Sequence, residues 1–113
     1  MAFQFTDANF QASALSNTGV TVVDFGAEWC GPCRILAPIV EQLATEYGDS
    51  ALIGKLDVDD NPEVSTKYGV RSIPMLLFLR NGEIVDKHVG LLTKDGLKAK
   101  IEAARTAVVE EKW

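Results

Sequence analysis

The sequence predicts an α/β domain: a central mixed five-stranded sheet, three strands parallel and a C-terminal hairpin forming an antiparallel edge, flanked by four helices. Three observations carry this. Runs rich in β-branched and aromatic residues alternate with runs of helical period. Asn81-Gly82 separates two late strand-like runs, the signal of a two-residue hairpin turn. And 113 residues suffice for one domain, burying about two-thirds of its surface on folding without metal or disulfide staples.

The elements follow in order. Phe3-Gln4-Phe5 reads as a short first strand and Asp7 to Leu15 as a weak helix. Val20 to Phe25 is β-branched and aromatic, a strand by composition. From Cys33 the apolar residues Ile35, Leu36, Ile39, Val40, Leu43, Ala44 and Tyr47 fall at helical spacing, with Gly48 as the stop. Pro38 lies inside this helix, where it removes a hydrogen bond and favours a kink, a structural feature. Ala51 to Val58 is a strand. Pro62 to Tyr68 is a short helix opened by proline and closed by Gly69. Met75 to Arg80 and Ile84 to Val89 form the hairpin. Leu97, Ile101, Ala104 and Val108 mark one face of a last helix, with Thr93 as its N-cap. Residues 1–113 are read as a single domain, with 106–113 a C-terminal extension that frays and has no assigned role.

Composition narrows the function. Apolar residues make up 47% and charged residues 24%, the balance of an ordered globular protein. No apolar stretch approaches the ~20 residues of a membrane span. Met1 to Asp7 lacks the basic and apolar regions of a secretory signal, so the expected location is cytoplasmic, with no membrane partner. Sixteen acidic against eleven basic residues give a net charge of −5, which repels phosphate backbones and argues against nucleic acid.

The two cysteines, Cys30 and Cys33, form a close pair. In a reducing compartment such a pair is redox-active or metal-binding rather than a staple. A closed zinc site wants four Cys or His ligands, and the chain has two cysteines and one histidine, His88. Trp29-Cys30-Gly31-Pro32-Cys33 falls where a strand feeds a helix. A sulfur there faces unpaired N–H groups and the positive end of the helix dipole, which favour thiolate over thiol. Cys33, three residues on, is within bridging distance, one turn deeper and less exposed. The asymmetry makes Cys30 the nucleophile and Cys33 the resolving cysteine. Pro32 at the first helical turn loses no needed hydrogen bond, and Gly31 lets a partner's backbone approach. Neither adds charge or imidazole to stabilise the reduced thiolate further, so the dipeptide leans toward a reductant.

Together, Val23-Asp24-Phe25, Trp29-Cys30-Gly31-Pro32-Cys33-Arg34, Ile73-Pro74, Asn81-Gly82 and Gly90 resemble the thioredoxin family over about residues 3 to 105. The resemblance implies the thioredoxin fold and a protein-disulfide reductase that carries electrons through a Cys30–Cys33 disulfide/dithiol. It implies no bound cofactor or metal, disulfide-containing target proteins as partners, re-reduction by a flavin- and NADPH-dependent thioredoxin reductase, and a monomer. Asp24 becomes the proton acceptor for Cys33, through water, and Lys55 its charge partner. By composition alone Asp24 could occupy an exposed alternate position, although a central strand covered on both faces would bury it and raise its pKa. Lys55 could equally be an ordinary snorkelling lysine. Ile73-Pro74 becomes a cis-proline facing the cysteines, whose backbone pairs with an extended substrate. Trp29, Gly31, Pro32, Val89 and Gly90 complete an apolar platform, with a core position the alternative for Trp29.

Gly26 departs from the family, many of whose members carry a bulky aromatic, usually Trp, there; its loss leaves the active-site loop looser or admits a different partner surface. Asp57, Asp59 and Asn61 mimic the start of a calcium loop, but Pro62 and Tyr68 break the pattern, leaving a strand end followed by a helix cap. His88 is read as a strand residue facing solvent. Three rival functions stand beside the reductase. A scaffold would keep its function without either sulfur, an oxidase or isomerase would differ in reduction potential, and a metal carrier would bind zinc or copper.

Overall fold

The structure, a computed structural model, describes residues 1–107; Val108 and the remainder of the expected extension lie outside the described residues. Strands β1 (Phe3–Phe5), β2 (Val20–Gly26), β3 (Ala51–Asp57), β4 (Met75–Arg80) and β5 (Glu83–Val89) form one sheet of order β1-β3-β2-β4-β5. β1 and β2 both pair with β3 in parallel, while β4 runs antiparallel to β2 and pairs with β5 as a hairpin. Asn81 and Gly82 turn that hairpin with φ of 52° and 80°, the left-handed pair such a turn requires. A bulge between Phe78 and Leu79 interrupts its register.

Helices α1 (Gly31–Tyr47), α2 (Pro62–Lys67) and α3 (Lys94–Arg105), with a π-helical turn at Gln11–Leu15, cover the sheet. Strand alternation sorts the core onto two faces. Val20, Val22, Ile53, Leu76 and Phe78 meet Leu36, Val40 and Leu43 of α1 and Leu97 and Ile101 of α3. On the opposite face Phe5, Val23, Phe25, Leu56, Leu77 and Leu79 meet Phe10, Ala14 and Val64. Each such fully buried large side chain contributes roughly 1.5–3 kcal/mol of transfer free energy. Ile35, counted in the helical apolar pattern, is 61% exposed. It lies one residue, about 100°, around α1 from the buried Leu36.

The first helix is shorter than expected. Thr6 and Asn9 bond each other reciprocally, Thr6 N–H to Asn9 Oδ1 at 2.8 Å and Asn9 N–H to Thr6 Oγ1 at 3.1 Å. That holds residues 7–9 in a turn, and the helical stretch begins only at Phe10 and ends at Leu15. Asp7 is thereby released for another task. Its carboxylate accepts the N–H groups of Glu63 at 3.1 Å and Val64 at 2.9 Å, capping α2 from across the fold. Asn61, which stands at the N-cap position of α2, makes no side-chain cap bond there; its Oδ1 accepts from Asp7 N–H instead. Thr93 caps α3 as expected, accepting from Gly96 N–H at 3.0 Å. α1 continues unbroken through Pro38.

Candidate active site

β2 ends at Gly26, and after Ala27-Glu28-Trp29 the chain enters α1 with Cys30 as N-cap. Cys30 has extended backbone (φ −86°, ψ 114°), and its Sγ accepts the Cys33 N–H at 3.2 Å. This uses one of the N–H groups that every helix start leaves unpaired. Pro32 occupies the first turn, where its missing N–H is no loss. Cys30 and Cys33 are joined as a disulfide, Cα to Cα 5.2 Å. In this oxidised pair the two residues are equally buried, each 6% exposed, so the expected difference in exposure is absent. What distinguishes them is position: Cys30 is the cap, and Cys33 lies within the helix.

The Ile73-Pro74 peptide bond is cis, and the Ile73 carbonyl oxygen lies 3.9 Å from Cys30 Sγ. Gly90 N–H donates to Pro74 O at 2.9 Å, tying the segment after β5 to the cis-proline. Ile73 and Val58 pack on the small buried cluster of Ala27, Cys30 and Cys33. Gly31, Pro32 and Val89 are exposed, as is Leu91, a neighbour not singled out from sequence. Trp29 is 69% exposed, which excludes a core role, and its Nε1 donates to Asp59 Oδ2 at 2.8 Å. That partner was hidden in sequence among the acidic residues of the calcium-like stretch. Asp57 Oδ1 accepts the N–H groups of Asp59 and Asp60, forming the turn that presents Asp59.

Asp24 is 4% exposed, and its Oδ1 has no hydrogen-bond partner among the described residues. It is the third residue of the α1-facing stripe Val20, Val22, Asp24, and its register partner Lys55 follows Ala51 and Ile53 on the same face of β3. Burial pushes its carboxyl up to about 7, partly offset by the positive charge of Lys55. Asp24, Cys33 and Lys55 line one cavity of about 260 Å³, with Gly26 and Ala37 also in its wall. A Cβ at Gly26 would stand 3.3 Å from both Cβ and Sγ of Cys33, so the bare glycine is part of what leaves this space open. The Lys55 ammonium makes its ion pair with Glu41, at 3.2 Å, and acts on Asp24 through space. Sequence reasoning passed over Glu41; the available signal was a carboxylate beside Val40 and Leu43 on α1. His88 is half-buried, its Nε2 3.3 Å from Leu91 O, and takes no part in the cavity.

Among the described residues no helix is long and apolar enough to cross a membrane. Residues 1–103 match the family model described as thioredoxin. The chain is 47% identical over 100 residues to a thioredoxin of Chlorobaculum thiosulfatiphilum, covering 88% of this chain and 93% of that one. It is 47% identical, over 88% of this chain and 92% of the other, to thioredoxin 2 of Chlorobaculum tepidum. A thioredoxin of Rhodospirillum rubrum is 44% identical over 101 residues, 89% of this chain and 97% of its own length.

Proposed function

Because this chain belongs to the thioredoxin family of thiol–disulfide oxidoreductases, we propose a residue-level cycle in which it reduces target-protein disulfides by two successive exchanges. Cys30, as thiolate, attacks one sulfur of the target disulfide; a Cys30–target mixed disulfide forms and the other target sulfur leaves as thiolate. Cys33 then gives its proton to Asp24, through water in the shared cavity, and its thiolate attacks Cys30 Sγ. The second target sulfur departs, and Cys30 and Cys33 are left as the disulfide seen in this structure. Two electrons have passed to the target, whose thiolates take up protons.

The observation that carries this assignment is Cys30 at the N-cap, its Sγ already accepting a helix N–H. The same bond and the helix dipole favour an anionic sulfur there. The cis Ile73-Pro74 segment beside Cys30, with Gly31, Pro32, Trp29, Val89 and Gly90, supports a platform on which an extended target segment lies. For Asp24 the support is burial, an unpartnered oxygen and a carboxyl poised near neutrality beside Cys33. Lys55 we assign as its charge partner through space. By family analogy the oxidised pair is returned to dithiol by a flavoprotein thioredoxin reductase using NADPH, in the cytoplasm, with the carrier acting as a single-domain monomer.

Reduction of a protein disulfide with dithiothreitol as donor tests the cycle. Wild type accelerates the reaction over dithiothreitol alone, Cys30→Ser abolishes the acceleration, and Cys33→Ser accumulates the mixed disulfide. No acceleration by wild type refutes the reductase cycle, and accumulation in Cys30→Ser rather than Cys33→Ser reverses the two roles.

A further inference from the structure

We propose that Glu41 is a positioning residue of the redox centre: it holds the Lys55 ammonium at the rim of the cavity and thereby sets how firmly Asp24 keeps its proton. The effect on the resolving step rests on Asp24 as the base proposed above; the effect on Asp24 itself does not.

Asp24 and Lys55 are register partners on adjacent parallel strands and project to the same face. A lysine stem long enough to curl onto its partner carboxyl instead extends to α1, where the ammonium meets Glu41 Oε2 at 3.2 Å. Glu41 is anchored in turn, its Oε1 accepting Ala2 N–H at 2.6 Å. That backbone bond, then the Lys55 contact, draws the Glu41 carboxyl below its ordinary range, so it stays anionic wherever Asp24 titrates. Glu41 and Lys55 side chains are 39% and 35% exposed, whereas Asp24 is buried. The cation is therefore stationed between a solvated anion that claims it and a buried carboxyl that would use it.

The remaining charged groups at the cavity are Asp57 on β3, Arg34 on α1 and Glu28 in the preceding loop; Gln4 from β1 is neutral, and β4 sets Leu76 in register with Asp24. Changing Glu41 leaves all of these in place and frees the one cation whose register aims it at Asp24. It also removes a negative charge from the neighbourhood. Both changes favour the Asp24 carboxylate.

The test is the Asp24 carboxyl titration, followed by ¹³C NMR in the oxidised 113-residue chain, where the cysteines do not titrate. In Glu41→Gln the midpoint falls by about half a pH unit, and in Lys55→Met it rises. In the double variant the Glu41 substitution loses most of its effect, because the cation it controls is gone. An unchanged midpoint in Glu41→Gln overturns the proposal. So does an equal shift with and without Lys55, which would make Glu41 a distant charge rather than a positioning residue. A second readout, the pH profile of mixed-disulfide resolution by Cys33, moves to lower pH with the Asp24 midpoint in Glu41→Gln. A midpoint that moves under an unmoved profile upholds the Glu41–Lys55 coupling and removes Asp24 as the base.

Discussion

Asp24 and Lys55 stand opposite each other in the β2–β3 ladder, yet the carboxyl keeps an oxygen with no partner among the described residues while the ammonium pairs with Glu41 on α1. A buried acid beside an available cation would ordinarily ionise and form the pair. Here desolvation dominates, and the through-space attraction of Lys55 offsets it only in part. The site thus keeps a carboxyl able to gain or lose a proton near neutral pH, in the cavity that Cys33 also lines.

That arrangement costs stability in a pH-dependent way. The folded Asp24 holds its proton up to about pH 7 against an ordinary value of 3.8, so the fold favours the neutral acid. Its contribution is complete below the unfolded pKa and is lost as pH rises through the folded one, by roughly 4 kcal/mol in all. Urea denaturation of the oxidised protein between pH 4 and 8 is expected to show this loss in wild type and not in Asp24→Asn, leaving the variant the more stable at pH 8. Parallel curves would place the Asp24 titration near its ordinary value.

Trp29 separates binding from folding. It is 69% exposed and held by a single bond to Asp59, so Trp29→Ala removes little buried area. Stability should change by no more than about 0.5 kcal/mol. In the proposed target platform the residue matters more, and the apparent KM for a protein disulfide should rise several-fold while small disulfides react as before. Equal effects on both substrates would remove Trp29 from the platform.

Asp7 is a predicted stability determinant far in sequence from the helix it serves. Its carboxylate satisfies two N–H groups at the start of α2, and Asp7→Ala leaves both without that partner. A loss of about 1–2 kcal/mol in urea denaturation at pH 7 is expected, and Asp7→Asn should recover part of it. A substitution within about 0.3 kcal/mol of wild type would mean that water replaces the cap at no cost.

What was legible in the sequence was whatever depends on near neighbours in the chain. The Asn81-Gly82 turn, the Thr93 cap, the strand bounds of β4 and the Cys30 entry to α1 are local chemistry, and the structure has each of them. The misses are contacts that only the fold creates. Asp7 looked like part of a first helix because its partners, Glu63 and Val64, lie over fifty residues away. Asp59 looked like part of a false calcium loop, and Glu41 drew no reading at all, because Trp29 and Lys55 reach them across elements. Family resemblance supplied the pairing of Asp24 with Cys33, which composition alone left open, but not the Glu41 contact that diverts Lys55.

Gly26 yields the sharpest test of the cavity. A methyl group there would stand 3.3 Å from Cys33 Cβ and Sγ, closer than ordinary van der Waals contact, so one of them must shift by a few tenths of an ångström. In the oxidised protein Cys33 Sγ is bonded to Cys30 and has little freedom to yield. In the dithiol Sγ can turn about the Cα–Cβ bond and relieve its half of the contact, while the Cβ contact is common to both states. Gly26→Ala therefore penalises the disulfide relative to the dithiol, and the couple becomes more oxidising. With a crowding cost of about 0.5–1 kcal/mol, the reduction potential rises by on the order of 10–20 mV. Equilibration against a glutathione buffer reads this directly. A potential that stays put would mean that α1 moves to absorb the methyl group in both states, and one that falls would mean that the dithiol is the more crowded form.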